Sequence, residues 1–341
     1  MERLHIAVLG PVNSGKSTLV NTLCGQEVSL VSPVPGTTTD PVRKAVELPG
    51  LGACVIIDTP GFDDHTELGQ ERKRLLDKVL DQADVAVVLG YFPVPAGIPV
   101  VRYDGEDAAT LSERIRSVLP APEDRYLTGK LVRAGSHVLL VMPQDSEAPK
   151  GRLILPQVQV LRELLDRGCI PHCCTPQTLG DAFERSKPDL VITDSQVFKL
   201  VDSLIRPDTP LTSFSILLAG AKGNMDVFLE GARSIGRLKD KDRVLIAEAC
   251  THVPDTEDIG RLKIPTLLQK RAAIQADIAA GNDFPEDLSP YALIIHCGAC
   301  TANRQLVQRR IKKALHAGVP ITNYGLAIAY LQGILDRISI P

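Results

Sequence analysis

Eight residues, Gly10-Pro11-Val12-Asn13-Ser14-Gly15-Lys16-Ser17, constrain this chain more than any others. They match G-x-x-x-x-G-K-[ST] in full, with an apolar strand (Leu4 to Leu9) before them and an amphipathic helix from Lys16 after them. The glycines let backbone N–H groups wrap a phosphate chain, and the helix N-terminus adds partial positive charge. Lys16 is placed to reach the β and γ phosphates and the Ser17 hydroxyl to bind magnesium. Gly10, Asn13, Ser14, Gly15 and Thr18 complete the expected phosphate-contacting set. A chance match on a surface loop would lack the strand-loop-helix context.

A second motif follows at the interval a nucleotide switch requires. Asp58-Thr59-Pro60-Gly61 ends a strand built on Cys54 to Ile57. An acid at a strand end holds magnesium through water, and the Gly61 N–H is placed to sense a γ phosphate. Between the two motifs lies PGTTTDP. A threonine there, Thr38 in our reading, coordinates magnesium when a triphosphate is bound. The rest of the chain alternates strand and helix, which predicts α/β architecture built on parallel sheets. Further strands are expected at Val85 to Leu89, His137 to Met142, Leu190 to Thr193, Phe214 to Leu218, Val244 to Ala249, Leu293 to His296 and Val319 to Thr322. Tyr91 to Pro99 reads as irregular, PAPED near residue 122 as a linker and RPDTP near residue 208 as a second boundary. Three α/β domains are thus expected, over residues 1–122, 123–208 and 209–341.

Bulk composition excludes several function classes. The chain has 341 residues, 44% of them hydrophobic, so each domain can bury a core. A net charge of -3 with no basic block gives no general attraction to nucleic acid or to anionic lipid. Tryptophan is absent and aromatics are 4%, which argues against a base-stacking surface. No apolar run reaches membrane-helix length, and MERLHIAVLG lacks the pattern of a signal peptide, so a cytoplasmic protein is expected.

Residues 1 to about 90 resemble small GTPases of the Era and TrmE type. The resemblance implies GTP with Mg2+ as ligand, GTP hydrolysis as the activity and a switch as the use. Asn13 matches the asparagine that helps hold K+ in potassium-activated members; alternatively it stabilises the loop. One departure is plain. Guanine is selected in such proteins by an N-K-x-D segment, and no asparagine here is followed by lysine. After Asp84 to Gly90 the chain runs directly into YFPVPAGIPVV, and the helix and strand expected to carry that motif are missing from the sequence.

The other chemistry-bearing group is a set of cysteines and histidines. Cys250-Thr251-His252 follows the strand VLIAEA, and His296-Cys297-Gly298-Ala299-Cys300 follows ALII. Ligands of parallel α/β sheets gather at the carboxyl ends of strands, so both clusters are expected to face one crevice. Thiolates bind zinc and iron–sulfur clusters alike, and the residue types leave those two open. A redox pair and buried core thiols are the other readings of a C-x-x-C. Cys24, Cys54 and Cys169 sit on apolar segments and read as core, and Cys173-Cys174 as part of a buried strand. Lys222, Asn224, Asn323 and Tyr324 follow strands and would line the crevice or lie in loops.

A C-x-H paired with an H-C-x-x-C behind a P-loop domain resembles the HydF family, the GTPase scaffolds of FeFe-hydrogenase maturation. SEAPKGRLILP (146–156), PDLVITDSQVF (188–198), PLTSFSIL (210–217) and IAEACTHVP (246–254) carry the same resemblance along the chain. It implies a GTPase domain, a central dimerisation domain and a C-terminal cluster domain. It implies a 4Fe-4S cluster on Cys250, Cys297 and Cys300, with His252 and His296 as fourth ligands or as hydrogen-bond donors behind them, the latter role favoured for His296. It implies a homodimer, with FeFe-hydrogenase and radical-SAM maturases as partners and a two-iron precursor as cargo. The competing expectation is a P-loop GTPase or ATPase with a structural zinc site.

Overall fold

The computed structural model describes residues 3–25, 42–59, 76–95, 97–120, 126–144, 151–249, 258–281 and 283–341. The chain divides into two compact units, Met1–Glu123 and Asp124–Pro341. The break falls inside the PAPED segment.

In the first unit, β1 (Leu4–Leu9), β2 (Val42–Leu48), β3 (Gly52–Asp58), β4 (Val85–Leu89) and β5 (Val100–Tyr103) form one sheet in the order β2-β3-β1-β4-β5. Only β2 runs antiparallel to its neighbour; the other pairs are parallel. The central strands β1 and β4 are apolar on both faces because helices and loops cover both. Helix α1 (Lys16–Cys24) packs Leu19, Val20 and Leu23 on one face, beside Leu111 and Ile115 of α2 (Ala108–Val118). Asp107 caps α2 by accepting from the Thr110 N–H.

The second unit contains two four-stranded parallel sheets. The first comprises β6 (His137–Val141), β7 (Ile170–Cys174), β8 (Leu190–Thr193) and β9 (Leu211–Ser213) in the order β7-β6-β8-β9. Its helices are α3 (Leu155–Asp166), α4 (Leu179–Ser186) and α5 (Phe198–Leu204). The second comprises β10 (Arg243–Ala247), β11 (Gln275–Ala279), β12 (Leu293–His296) and β13 (Ile321–Asn323) in the order β11-β10-β12-β13. Helices α6 (Phe214–Lys222), α7 (Met225–Ser234), α8 (Ile264–Gln269), α9 (Arg304–His316) and α10 (Tyr324–Leu331) accompany it. One core cluster includes Leu139 and Val191 of the first sheet and Leu245 and Ile294 of the second, with Phe228 between the helices.

Two expectations need correction. Phe214 to Leu218 is helical, not a strand; the strand lies just before it, where β9 pairs with β8. Four of its five residues are apolar, so periodicity cannot separate a buried helix from a buried strand. The deciding signal is Ser213, whose Oγ accepts from the Ile216 N–H as an N-cap. Cys173-Cys174 does form a strand, but β7 is a sheet edge and Cys173 is exposed rather than buried. The shared core predicts that Asp124–Pro341 unfolds cooperatively. Phe228→Ala should cost about 3–5 kcal/mol. Hydrogen exchange in urea should show β6 and β10 losing protection together; loss in β10 alone would contradict a shared core.

Candidate functional site

The phosphate-binding end is assembled by the carboxyl ends of β1 and β3, which pair in parallel and bring Val8 opposite Asp58. Gly10 has no room for a side chain: a Cβ there would lie 2.6 Å from the Leu89 carbonyl oxygen and 2.8 Å from Ser14 Oγ. Asn13 and Gly15 take left-handed backbone conformations, φ 60° and 88°, which fold the loop back over the start of α1. Gly15 caps that helix without offering a side-chain acceptor, and its first turn holds no acidic residue. Its leading N–H groups therefore point into the loop as anion donors. Lys16 is buried, and its Nζ donates to the carbonyls of Gly10 (3.1 Å) and Pro11 (2.6 Å), so the ammonium lies along the loop. Ser17 Oγ donates to Asp58 Oδ2 at 3.2 Å, and Thr59 Oγ1 donates to the Val8 carbonyl at 2.7 Å. Two of the three residues expected at magnesium, Ser17 and Asp58, are thus in contact. Thr38 and Gly61 lie outside the described residues.

The structure also refines the missing guanine motif. A strand does follow β4: β5 pairs with it directly and in parallel, and α2 comes next. Among the described residues between Leu89 and Val100 there is no helix, so the joining segment is shorter than an ordinary α/β crossover. At the carboxyl end of β5 stand Arg102-Tyr103-Asp104-Gly105, with Asp104 ion-paired to Arg114 at 3.1 Å.

The cysteine end is built on β10 and β12. These strands pair so that Ala247 lies opposite His296, and the Cys297 N–H donates to the Ala247 carbonyl at 2.9 Å. Cys297 Sγ accepts from the Ala249 N–H (3.1 Å) and the Ala299 N–H (3.4 Å). Two backbone N–H groups thus point at one sulfur. Ala299, between the two cysteines, is held at φ 51°, a left-handed conformation that costs a non-glycine residue about 1–2 kcal/mol. Cys297 and Cys300 are both partly buried. Cys250 and His252 lie outside the described residues, and among the described ones no three His, Cys, Asp or Glu side chains gather as a metal site. Cys54 fits its core reading: burial pushes its thiol up to about 11.

His296 is buried, and both its ring nitrogens are engaged. Arg310 Nη1 lies 3.0 Å from Nε2. A guanidinium can only donate, so Nε2 accepts and Nδ1–H donates to the Cys297 carbonyl at 2.8 Å. Burial first, and the Arg310 charge second, push the imidazole down to about 3, so it is neutral at physiological pH. A ring held at both nitrogens orients the backbone of its neighbour and offers no lone pair to a metal. Arg310 continues inward, with Nη1 3.2 Å from the Glu248 carbonyl and Nη2 2.6 Å from that of Gly281. Glu248, also buried, pairs through Oε2 with Arg261 at 3.1 Å.

Family models match most of the chain. Residues 127–223 match the hydrogen maturase F dimerization domain, residues 226–341 the hydrogen maturase F tetramerization domain, and residues 5–112 a 50S ribosome-binding GTPase domain. This chain belongs to the hydrogen maturase F (HydF) family. Its dimerization and tetramerization domains mark it as a subunit of an oligomer. Among curated proteins it is 38% identical over 110 residues to the tRNA modification GTPase MnmE of Acidiphilium cryptum, covering 30% of this chain and 25% of that protein. It is 42% identical over 92 residues to MnmE of Neisseria gonorrhoeae strain FA 1090, covering 26% of this chain and 20% of that one. The chain thus spans about a quarter or less of the length of these relatives. The Era GTPase of Aquifex aeolicus, solved with GDP.AlF4-, is 17% identical over 84% of this chain and 97% of its own, at a TM-score of 0.25. At that score the likeness carries nothing about this fold.

Within this HydF-family chain, Arg310 and Glu248 were not singled out by sequence reasoning. Arg310 had a signal: it falls at helical spacing on the buried stripe of α9 with Leu306, Val307, Ile311 and Ala314, where a charge is rarely solvated. Lys16→Ala should leave the circular dichroism unchanged and weaken triphosphate binding on the order of 100-fold, measured by titration calorimetry with GTP and Mg2+. Arg310→Met should lower stability by about 3 kcal/mol, because it strands the His296 ring and two carbonyls. Urea melts of the metal-free chain measure it.

Proposed function

We propose that this chain is the nucleotide-binding scaffold of FeFe-hydrogenase maturation. It carries a 4Fe-4S cluster on Cys250, Cys297 and Cys300 and holds a two-iron precursor, made by radical-SAM maturases, for delivery to the hydrogenase. The observation that supports this best is the pair of backbone N–H groups on Cys297 Sγ, at a joined strand end inside a hydrogen maturase F domain. Such hydrogen bonds stabilise a ligating sulfur and tune its metal. The donor set fits: two partly buried cysteines sit on one tight turn, and no charged side chain stands between them in the sequence.

In this reading His296 is a positioning residue that fixes the Cys297 carbonyl, and His252 is the histidine left for a fourth or exchangeable ligand. A bound cluster would supply an iron that accepts an exchangeable ligand, as a carrier requires. At the other end, Lys16 and the α1 N-terminus bind the triphosphate. Ser17, Asp58 and Thr38 serve magnesium, Gly61 contacts the γ phosphate, and Asn13 is placed for K+. The nucleotide state then changes how the protein meets its partners. Residues 1–122, 123–208 and 209–341 are the nucleotide, dimerisation and cluster domains of a homodimer with no nucleic-acid or membrane partner, working in the cytoplasm. Among the described residues no helix is long and apolar enough to cross a membrane.

Anaerobic purification followed by iron and sulfide analysis tests the cluster. The reduced protein should give an EPR signal that shifts on adding imidazole, and Cys297→Ser should remove most of the bound iron while the fold persists. Zinc in place of iron, with no charge-transfer absorption, would overturn the reading in favour of a structural site.

A further inference from the structure

We propose that Lys222 is a positioning residue for the Cys297–Cys300 turn, clamping the peptide that joins the two cysteines into the conformation a metal needs. The inference rests on the cluster reading above and assigns to it a residue from a different helix. Lys222 is the last residue of α6, and only 2% of it is exposed. Its Nζ donates to the Ala299 carbonyl and to the Ala302 carbonyl, both at 2.8 Å. Those two carbonyls bracket Cys300 on either side. One ammonium thus fixes the backbone that carries the second thiol.

Ala299 is gripped from both ends. Its N–H donates to Cys297 Sγ and its carbonyl accepts from Lys222. Its left-handed backbone, φ 51°, is one that alanine rarely adopts without support. The clamp supplies that support at the residue between the two cysteines. Lys222 is itself fixed from behind. Gln308 of α9 donates through Nε2 to the carbonyls of Lys222 (2.8 Å) and Gly223 (3.0 Å). A Cβ on Gly223 would lie 2.2 Å from the Phe228 ring, so the chain can pass there only as glycine. The ammonium is therefore aimed by rigid packing, and a buried cation is retained where its donors have strong acceptors. A lysine kept only for solubility would point outward from the helix end.

The test uses the full chain, prepared anaerobically, and compares it with Lys222→Met, Lys222→Arg and the double variant Lys222→Met/Ala299→Gly. In the metal-free protein, hydrogen exchange of amides 297–302 should be faster in Lys222→Met than in the unaltered chain. After reconstitution with iron and sulfide, Lys222→Met should lose iron to a chelator at least about tenfold faster, in the range seen when partners of metal ligands are removed. Its EPR signal should shift, and Lys222→Arg should restore both in part. Glycine adopts the left-handed conformation unaided, so the double variant should recover retention that Lys222→Met loses. Unchanged exchange and unchanged retention in Lys222→Met would overturn the proposal, as would a double variant no better than the single one. Should Lys222→Met not fold, Lys222→Gln is read in its place against the unaltered chain, with faster exchange and faster iron loss supporting the proposal and no change in either overturning it. An unaltered chain that binds no iron and sulfide overturns the cluster reading, and the ligand-positioning role with it. Exchange that still differs would then leave only the clamp.

Discussion

Arg310 is the interaction on which the cysteine end depends. Its guanidinium reaches the carbonyl that follows β10, the one that follows β11 and the histidine that ends β12. Parallel strands release their carbonyl groups at the carboxyl end of the sheet, where ladder partners run out. Something must meet those acceptors inside a dry crevice. Here one rigid, permanently charged fork does so and passes the constraint through the His296 ring to Cys297. The histidine is thereby kept neutral and oriented, and the sulfur beside it accepts from the Ala249 and Ala299 N–H groups.

The phosphate end solves a related problem with different parts. The N–H groups there come from a helix start and a glycine-rich loop, so the site is built to receive negative charge. The cysteine end also gathers N–H groups, but on a sulfur. In both places the sheet delivers the chain to one edge, a left-handed residue turns it back, and backbone donors surround the group that matters. Asn13 and Gly15 do this in the loop and Ala299 does it between the cysteines.

The sequence made the parallel α/β architecture legible because strands buried on both faces read as short apolar runs, as β1, β4 and β12 do. The P-loop was legible for a stricter reason: glycine, lysine and serine at that spacing serve one geometry, and the contact of Ser17 with Asp58 agrees with it. Less could be read where local signals compete. The stretch after Ser213 is a short run that is apolar apart from Ser215, so its cap is what marks it as a helix. The supports of Cys297 and Cys300 were the hardest to foresee. Lys222 was expected only along the crevice or in a loop, and Arg310 reaches the His296 ring together with backbone carbonyls, which every residue has. Nothing in a side-chain pattern announces which carbonyl a distant cation will choose.

The direct pairing of β5 with β4 has a consequence for how such a domain can be divided. Ladder hydrogen bonds join backbone to backbone and carry no side-chain information, so an outer strand accepts any parallel neighbour of suitable length. The sheet stays continuous from β2 to β5 although no N-K-x-D stands anywhere in the chain. The strands that carry the phosphate-binding loop, β1 and β3, pair with each other in the interior of that sheet, so their geometry does not depend on what is joined to its outer edge.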